Sequence, residues 1–401
     1  MKLFLEVVPV GDAVAAIRRI APPVVAETVA LKDAYGRVLA RDIIAGEDIP
    51  GFTRSVVDGY AVIAADTTGA GEAMPAMLAN TGRVAMGAPE EQAIAPGECR
   101  YVPTGGILPP GADAMVMVEY TEAVGDEVLV HRPVAPGENL IARGEDFAGG
   151  DVVLEAGRRC SPRDLGVLAV LGVAEVPVAA RPRVGIISTG NELVPVTATP
   201  GPAQVRDANS SLAAGFVTER GGVPVPYGIV RDERAALEEA LATATAACDA
   251  VLLSGGSSKD ERDICAATIG DAGEVLIHGI AIAPGKPTII GRVGPAPVIG
   301  LPGHPASAYV VLIAIAGPLL AAMTGEREVV RSVAARLTRN IASARGREDY
   351  VRVALDGEGG AVPLFGKSGL LNTLAASSGL VRVPASREGL EVGEEVEVLL
   401  W

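Results

Sequence analysis

Aromatic residues are scarce in this chain, 3% of 401 residues with a single tryptophan. Cores must therefore be filled by Val, Leu, Ile and Ala, and stacking platforms for single-stranded nucleic acid are not expected. Basic charge is also in short supply: 34 Lys and Arg face 49 Asp and Glu, a net charge of −15. That balance repels polyanions and anionic membrane, so neither nucleic acid nor membrane is an expected partner. A small anionic ligand would need local help from loop amides, a few cations or a metal. Only four cysteines occur, Cys99, Cys160, Cys248 and Cys265, without close pairing, and reduced thiols in a cytoplasmic protein are the simplest account. The three histidines, His131, His278 and His304, are scattered and give no zinc spacing. There is no Walker-type glycine-lysine loop, no G-x-G-x-x-G and no G-x-S-x-G elbow, which argues against ordinary ATPase, dinucleotide and serine-hydrolase chemistry.

Long clean hydrophobic runs are missing as well. At the start, Glu6 and Pro9 interrupt MKLFLEVVPV, so a secretory signal core is not expected. The most apolar stretch, 306–323, approaches membrane-span length, but alanines fill it and Gly317-Pro318 is expected to break it. A buried helix is the better reading.

What the chain has in abundance is apolar strands that end in glycine loops. Asp249–Asp263 reads as a short strand entering Ser254, Gly255, Gly256 and Ser257, followed by a charged cluster from Lys259. Val184–Gly190 and Val298–His304 repeat the form, ending in Ser188-Thr189-Gly190 and in Pro302-Gly303-His304. Small residues at a strand end leave backbone N–H groups open to anions at the carboxyl edge of an α/β sheet. Between residues 181 and 326, strands at 184–188, 223–230, 250–253, 275–282, 287–290 and 298–301 alternate with helices at 209–220, 233–247, after Asp263 and 305–323. This alternation predicts a doubly wound, mostly parallel sheet.

Around that α/β core three other textures are legible. Residues 49–143 are dense in Gly and Pro with short strands and predict an inserted β-rich domain. The flanking stretches 1–48 and 144–180 form a mixed linker domain, with a helix over 10–20 that Asp12 could cap and another begun by Ser161-Pro162. Residues 327–401 carry alternating runs at 331–337, 350–355, 380–384 and 394–399 and predict a small all-β terminal domain.

Candidate chemistry gathers at loops. Asp58 lies beside Gly59 in a turn before a strand, Thr104 offers a hydroxyl in Pro103-Thr104-Gly105-Gly106, and Asp146 follows Arg143-Gly144-Glu145. Glu192 follows Thr189-Gly190-Asn191, while Asp232 and Asp263 sit at other strand ends or loops of the sheet. Acids at one sheet edge suit Mg²⁺, which takes one or two carboxylates plus substrate phosphates. Lys286 is the best placed cation for an anionic substrate, and His304 is a loop residue within reach of a ligand. Each of these features also has a plain structural reading as a turn, a cap or a surface loop.

Taken in order, SVVDGYAV from Ser55, PTGGILPPGADAMV from Pro103, RGEDF from Arg143, STGNEL from Ser188, SGGSSKDERD from Ser254, APGKPT from Ala283, LPGHPASA from Leu301 and GKSGLL from Gly366 resemble the MoeA family of molybdopterin molybdotransferases. The resemblance, shared with the carboxyl-terminal domain of gephyrin, covers nearly the whole chain. It implies a homodimer of four-domain subunits, with the cleft between the molybdopterin-binding sheet domain of one subunit and the inserted domain of its partner. It implies conversion of adenylylated molybdopterin and molybdate to molybdenum cofactor and AMP with Mg²⁺, and transient contact with molybdopterin adenylyltransferase. By motif, Asp58 and Thr104 come from the inserted domain. Asp146, Glu192, Asp232 and Asp263 are the acids that hold the metal, and Lys286 and Ser368 face the anionic ligand. Two positions depart from the pattern. Ala283 stands where many members have lysine, so one oxyanion contact is either missing or supplied elsewhere, Lys259 being one candidate, and SGGSSKDERD differs from the commoner SGGVS form. A tungstate-preferring member, a non-catalytic molybdopterin carrier and an adenylylating relative remain alternatives; the last resembles the sheet domain alone.

Overall fold

A computed structural model describes residues 7–255, 259–327 and 331–401, the side chains of 259–263 excepted. Backbone contacts divide the chain into two compact units, one of Met1–Arg41, Ala156–Ser161 and Val176–Trp401, the other of Asp42–Glu155 and Pro162–Glu175.

The larger unit is built on a six-stranded sheet in the order Val223–Val230, Arg183–Thr189, Ala250–Ser254, Ala296–Leu301, Ile289–Val293, Glu274–His278. The first four strands run parallel, Ile289–Val293 runs against them, and Glu274–His278 pairs antiparallel to it. Alternate residues face opposite sides, as strand geometry requires. Val184, Ile186, Ala250 and Leu252 pack on one side with Ala213, Phe216 and Leu312. Ile187, Val251 and Leu253 pack on the other with Leu237, Leu241 and Ile269. Both faces are covered, so the central strands carry unbroken apolar runs. The mostly parallel, helix-covered sheet expected from the sequence is therefore present.

Local differences from the sequence reading have physical causes. The helix expected after Asp263 already spans Lys259–Ala272. The strand expected over 275–282 stops at His278, since Gly279 has φ +115. Ile282–Ala283 then pairs in parallel with Glu348 and Asp349 of another sheet. Asp12 sits within the first turn of Val10–Arg19 and makes no cap. Proline does not break the apolar helix, which runs over Pro305–Thr324 and is mostly buried. A π-helical stretch, Leu312–Ala316, precedes Pro318. Its wider turn accommodates a residue that has no N–H and whose ring clashes with the preceding turn. By length and composition this helix could cross a membrane, yet 78% of its apolar window is inside the protein.

The carboxyl-terminal strands Ser332–Leu337, Glu348–Leu355, Gly360–Pro363, Gly379–Val383 and Glu395–Leu400 close on themselves, because Glu348–Leu355 pairs with both Gly360–Pro363 and Gly379–Val383. Val353, Val381, Val383 and Val398 fill this small barrel. The smaller unit contains its own six-stranded sheet, ordered Ala114–Met117, Gly59–Val62, Glu98–Val102, Ala76–Arg83, Glu127–Val130, Thr121–Val124. Its core includes Val62, Leu78, Cys99 and Val116. Gly59 is obligatory there, since a Cβ would lie 1.9 Å from the Val116 carbonyl oxygen.

Candidate functional site

In the larger unit the ends of the parallel strands converge, as the glycine loops suggested. Arg183–Thr189 pairs with Ala250–Ser254 so that Ser188 stands opposite Ser254, and Ser254 stands opposite Leu301, which leads into Pro302-Gly303-His304. Three clusters of polar groups follow from this register.

The first surrounds the loop after Thr189. Thr189 Oγ1 donates to Asp232 Oδ1 at 2.5 Å, and the Asn191 amide donates to Asp232 Oδ2 at 2.8 Å. One carboxylate thus fixes both sides of Gly190, whose φ of +156 suits glycine. Glu192 lies at the same turn, its Oε2 2.8 Å from where a Gly190 Cβ would be. Thr189, Gly190, Glu192 and Asp232 are therefore brought together.

The second cluster is enclosed. Asn209, the first residue of the helix Asn209–Glu219, donates from Nδ2 to Ser254 Oγ at 2.8 Å and to the Gly303 carbonyl at 2.9 Å. It ties the ends of two neighbouring strands. Ser188 is fully buried, with no hydrogen-bond partner for its hydroxyl among the described residues. Gly255 follows Ser254 at the strand end. Gly256, Ser257 and the side chains of Lys259 and Asp263 lie outside the described residues.

The third cluster lines a cavity of about 680 Å³ between the sheet edge and the barrel. Lys286, Pro302, Gly303, His304 and Ser368 all line it, and His304 Nδ1 is 2.8 Å from Ser368 Oγ. Arg345 and Arg347, unanticipated in the sequence reading, line it too. Arg347 Nε pairs with Asp349 Oδ1 at 2.9 Å and Arg345 Nε with Glu388 Oε1 at 3.2 Å. Lys286 is an exposed residue at the cavity. Cations and a hydroxyl facing one hollow can hold a small oxyanion despite the acidic chain.

Two further candidates meet in the smaller unit. Ser55 and Gly105-Gly106 exchange backbone hydrogen bonds, Ser55 N to Gly106 O at 3.0 Å and Gly105 N to Ser55 O at 2.8 Å. The Thr104 amide then donates to Asp58 Oδ1 at 2.8 Å. Both side chains are exposed. Asp146, also exposed, belongs to this unit and not to the Glu192 and Asp232 turn. Among the described residues no three His, Cys, Asp or Glu side chains gather as a metal cage.

Comparison with known proteins agrees along the chain. Residues 8–172 match the MoeA N-terminal region (domain I and II), 185–322 the family described as a probable molybdopterin binding domain, and 334–401 the MoeA C-terminal region (domain IV). Molybdopterin molybdenumtransferase 2 of Mycobacterium tuberculosis is 34% identical over 93% of this chain and 94% of its own length. The molybdopterin molybdenumtransferase of Bacillus subtilis is 31% identical over 98% and 94%. A crystal structure of the molybdopterin biosynthesis MoeA protein of Pyrococcus horikoshii superposes with a TM-score of 0.88 at 34% identity, covering 99% of this chain and all of that one. The chain belongs to the MoeA family.

Proposed function

We propose that this protein is a molybdopterin molybdenumtransferase that joins molybdate-derived metal to adenylylated molybdopterin and releases AMP. The observation that carries this reading is the cavity at the carboxyl edge of the sheet, where Lys286 and Ser368 face one hollow in a chain of net charge −15. In this reading Lys286 attracts the oxyanion and Ser368 hydrogen-bonds it. The loop ends Ser188–Gly190, Ser254–Ser257 and Pro302–His304 receive the pterin phosphate through their amides. Glu192 and Asp232 would hold Mg²⁺, with Asp263 and Asp146 as further acids. When bound, the ion would supply charge neutralisation to the phosphoanhydride. Asp58, steadied by the Thr104 amide, acts on the substrate from the inserted domain.

The same reading includes four domains, at 1–48 with 144–180, at 49–143, at 181–326 and at 327–401. It also includes a homodimer in which one subunit's inserted domain completes the other's cleft, delivery of substrate by the adenylyltransferase, and a cytoplasmic location in which the four buried cysteines stay reduced.

The test is AMP release from adenylylated molybdopterin with Mg²⁺ and either molybdate or tungstate, followed by metal analysis of the product. Release that depends on the oxyanion, and that is lost in Asp58→Ala and in Glu192→Ala with the fold intact, is expected. Substrate binding without release would instead support the carrier.

A further inference from the structure

Among the groups lining the cavity, His304 and Ser368 share a hydrogen bond whose direction matters. His304 Nδ1 is 2.8 Å from Ser368 Oγ, and either ring-nitrogen role is compatible with that distance. The loop carrying Ser368 has other anchors. The Ala306 amide donates to the Ser368 carbonyl at 3.1 Å, and the buried Arg352 guanidinium donates to the Gly366 carbonyl at 3.1 Å. What His304 controls is therefore the hydroxyl more than the backbone.

A serine hydroxyl has one proton and two lone pairs. If Nδ1 accepts, that proton is directed at the imidazole, and Oγ turns only lone pairs toward the cavity. If Nδ1 carries a proton, it donates to Oγ, and the serine O–H is released to point into the cavity. A tetrahedral oxyanion offers acceptors alone, so only the second arrangement lets Ser368 bind it. Both the imidazolium and the neutral Nδ1–H tautomer supply that donor. The charged groups lining the same cavity are Lys286, Arg345 and Arg347.

We propose that His304 is a positioning residue that donates from Nδ1 to Ser368 Oγ and thereby makes Ser368 a hydrogen-bond donor to the oxyanion substrate. The inference rests on the cavity being the oxyanion site. It assigns His304 no contact with the reacting atoms. Its signature is in oxyanion affinity more than in turnover.

The test uses the full chain and steady-state AMP release with varied molybdate. His304→Ala is expected to raise the molybdate KM about tenfold, the usual weight of a hydrogen bond to a charged group, with little change in kcat. His304→Asn, which presents a carboxamide N–H near the position of Nδ1, restores a KM close to the original. In a Ser368→Ala background the His304→Ala change adds nothing further. Failure of Asn to rescue, or an equal His304→Ala effect without the Ser368 hydroxyl, would overturn the proposal. Independently, ¹⁵N resonances of the histidine rings, only three in the chain, are expected to show a protonated Nδ1 on His304 at saturating molybdate. A bare Nδ1 would overturn it. Wild-type release that ignores the oxyanion defeats the functional reading as well, whereas oxyanion-dependent release with His304→Ala unchanged defeats this inference alone.

Discussion

Lys286 shows how a single residue can reverse the character of its surroundings. The chain as a whole is acidic, yet this ammonium stands at a hollow that two guanidinium groups also line, and both of those have carboxylate partners. Lys286→Ala should therefore raise the molybdate KM about tenfold, as expected for losing one charged hydrogen bond. Lys286→Arg should recover only part of it, since a planar fork replaces a compact charge. Steady-state AMP release checks both. A second residue-scale expectation concerns Cys99. Burial pushes its thiol from 9.0 up to about 12. The unfolded chain then loses that proton first, so the contribution to stability is intact below pH 9.0 and declines as pH rises toward about 12. Thermal melts across that range should fall less steeply for Cys99→Ala than for the wild type.

At the scale of elements, the parallel strands could be read from sequence because burial on both faces leaves continuous apolar runs such as AVLLS at 250–254. The glycine loops could be read because strand ends carry little else. What escaped the sequence had long-range causes. Arg345 and Arg347 sit in a charged stretch that reads as an ordinary solvated loop, and only the long-range pairing of Ile282–Ala283 with Glu348 and Asp349 brings them to the cavity that Lys286 lines. Asn209 looks like a routine helix start, and its ties to Ser254 and Gly303 depend on residues 45 and 94 positions away. The π turn before Pro318 has no local signature beyond the proline itself. An element-scale prediction follows from Gly59. A methyl group 1.9 Å from the Val116 oxygen forces apart the strands Gly59–Val62 and Ala114–Met117. Gly59→Ala should cost about 3 kcal/mol or more in the smaller unit. Protease cleavage within 42–155 should accelerate, while fluorescence of the single Trp401, which lies in the other unit, stays native.

For the whole molecule, the proposed cleft requires two copies of the chain, because Asp58 is expected to serve a partner's substrate. Light scattering at micromolar concentration should give twice the 40.7 kDa chain mass. Mixing Asp58→Ala with Glu192→Ala subunits should restore activity, since one cleft of the hybrid would be intact. A monomer, or no recovery after exchange, would contradict the shared cleft.

One feature of the larger unit bears on how such a site can change over time. The short strand Ile282–Ala283 leaves the sheet domain and joins the barrel by backbone pairing with Glu348 and Asp349, and both strands border the cavity walls at 282–287 and 344–347. Main-chain hydrogen bonds are indifferent to side-chain identity. The width of the hollow is thus set by a seam that does not depend on side-chain identity, so its lining can be substituted without the walls parting. If the cavity holds the oxyanion as proposed, single changes in the lining alter its preference with no redesign of the frame.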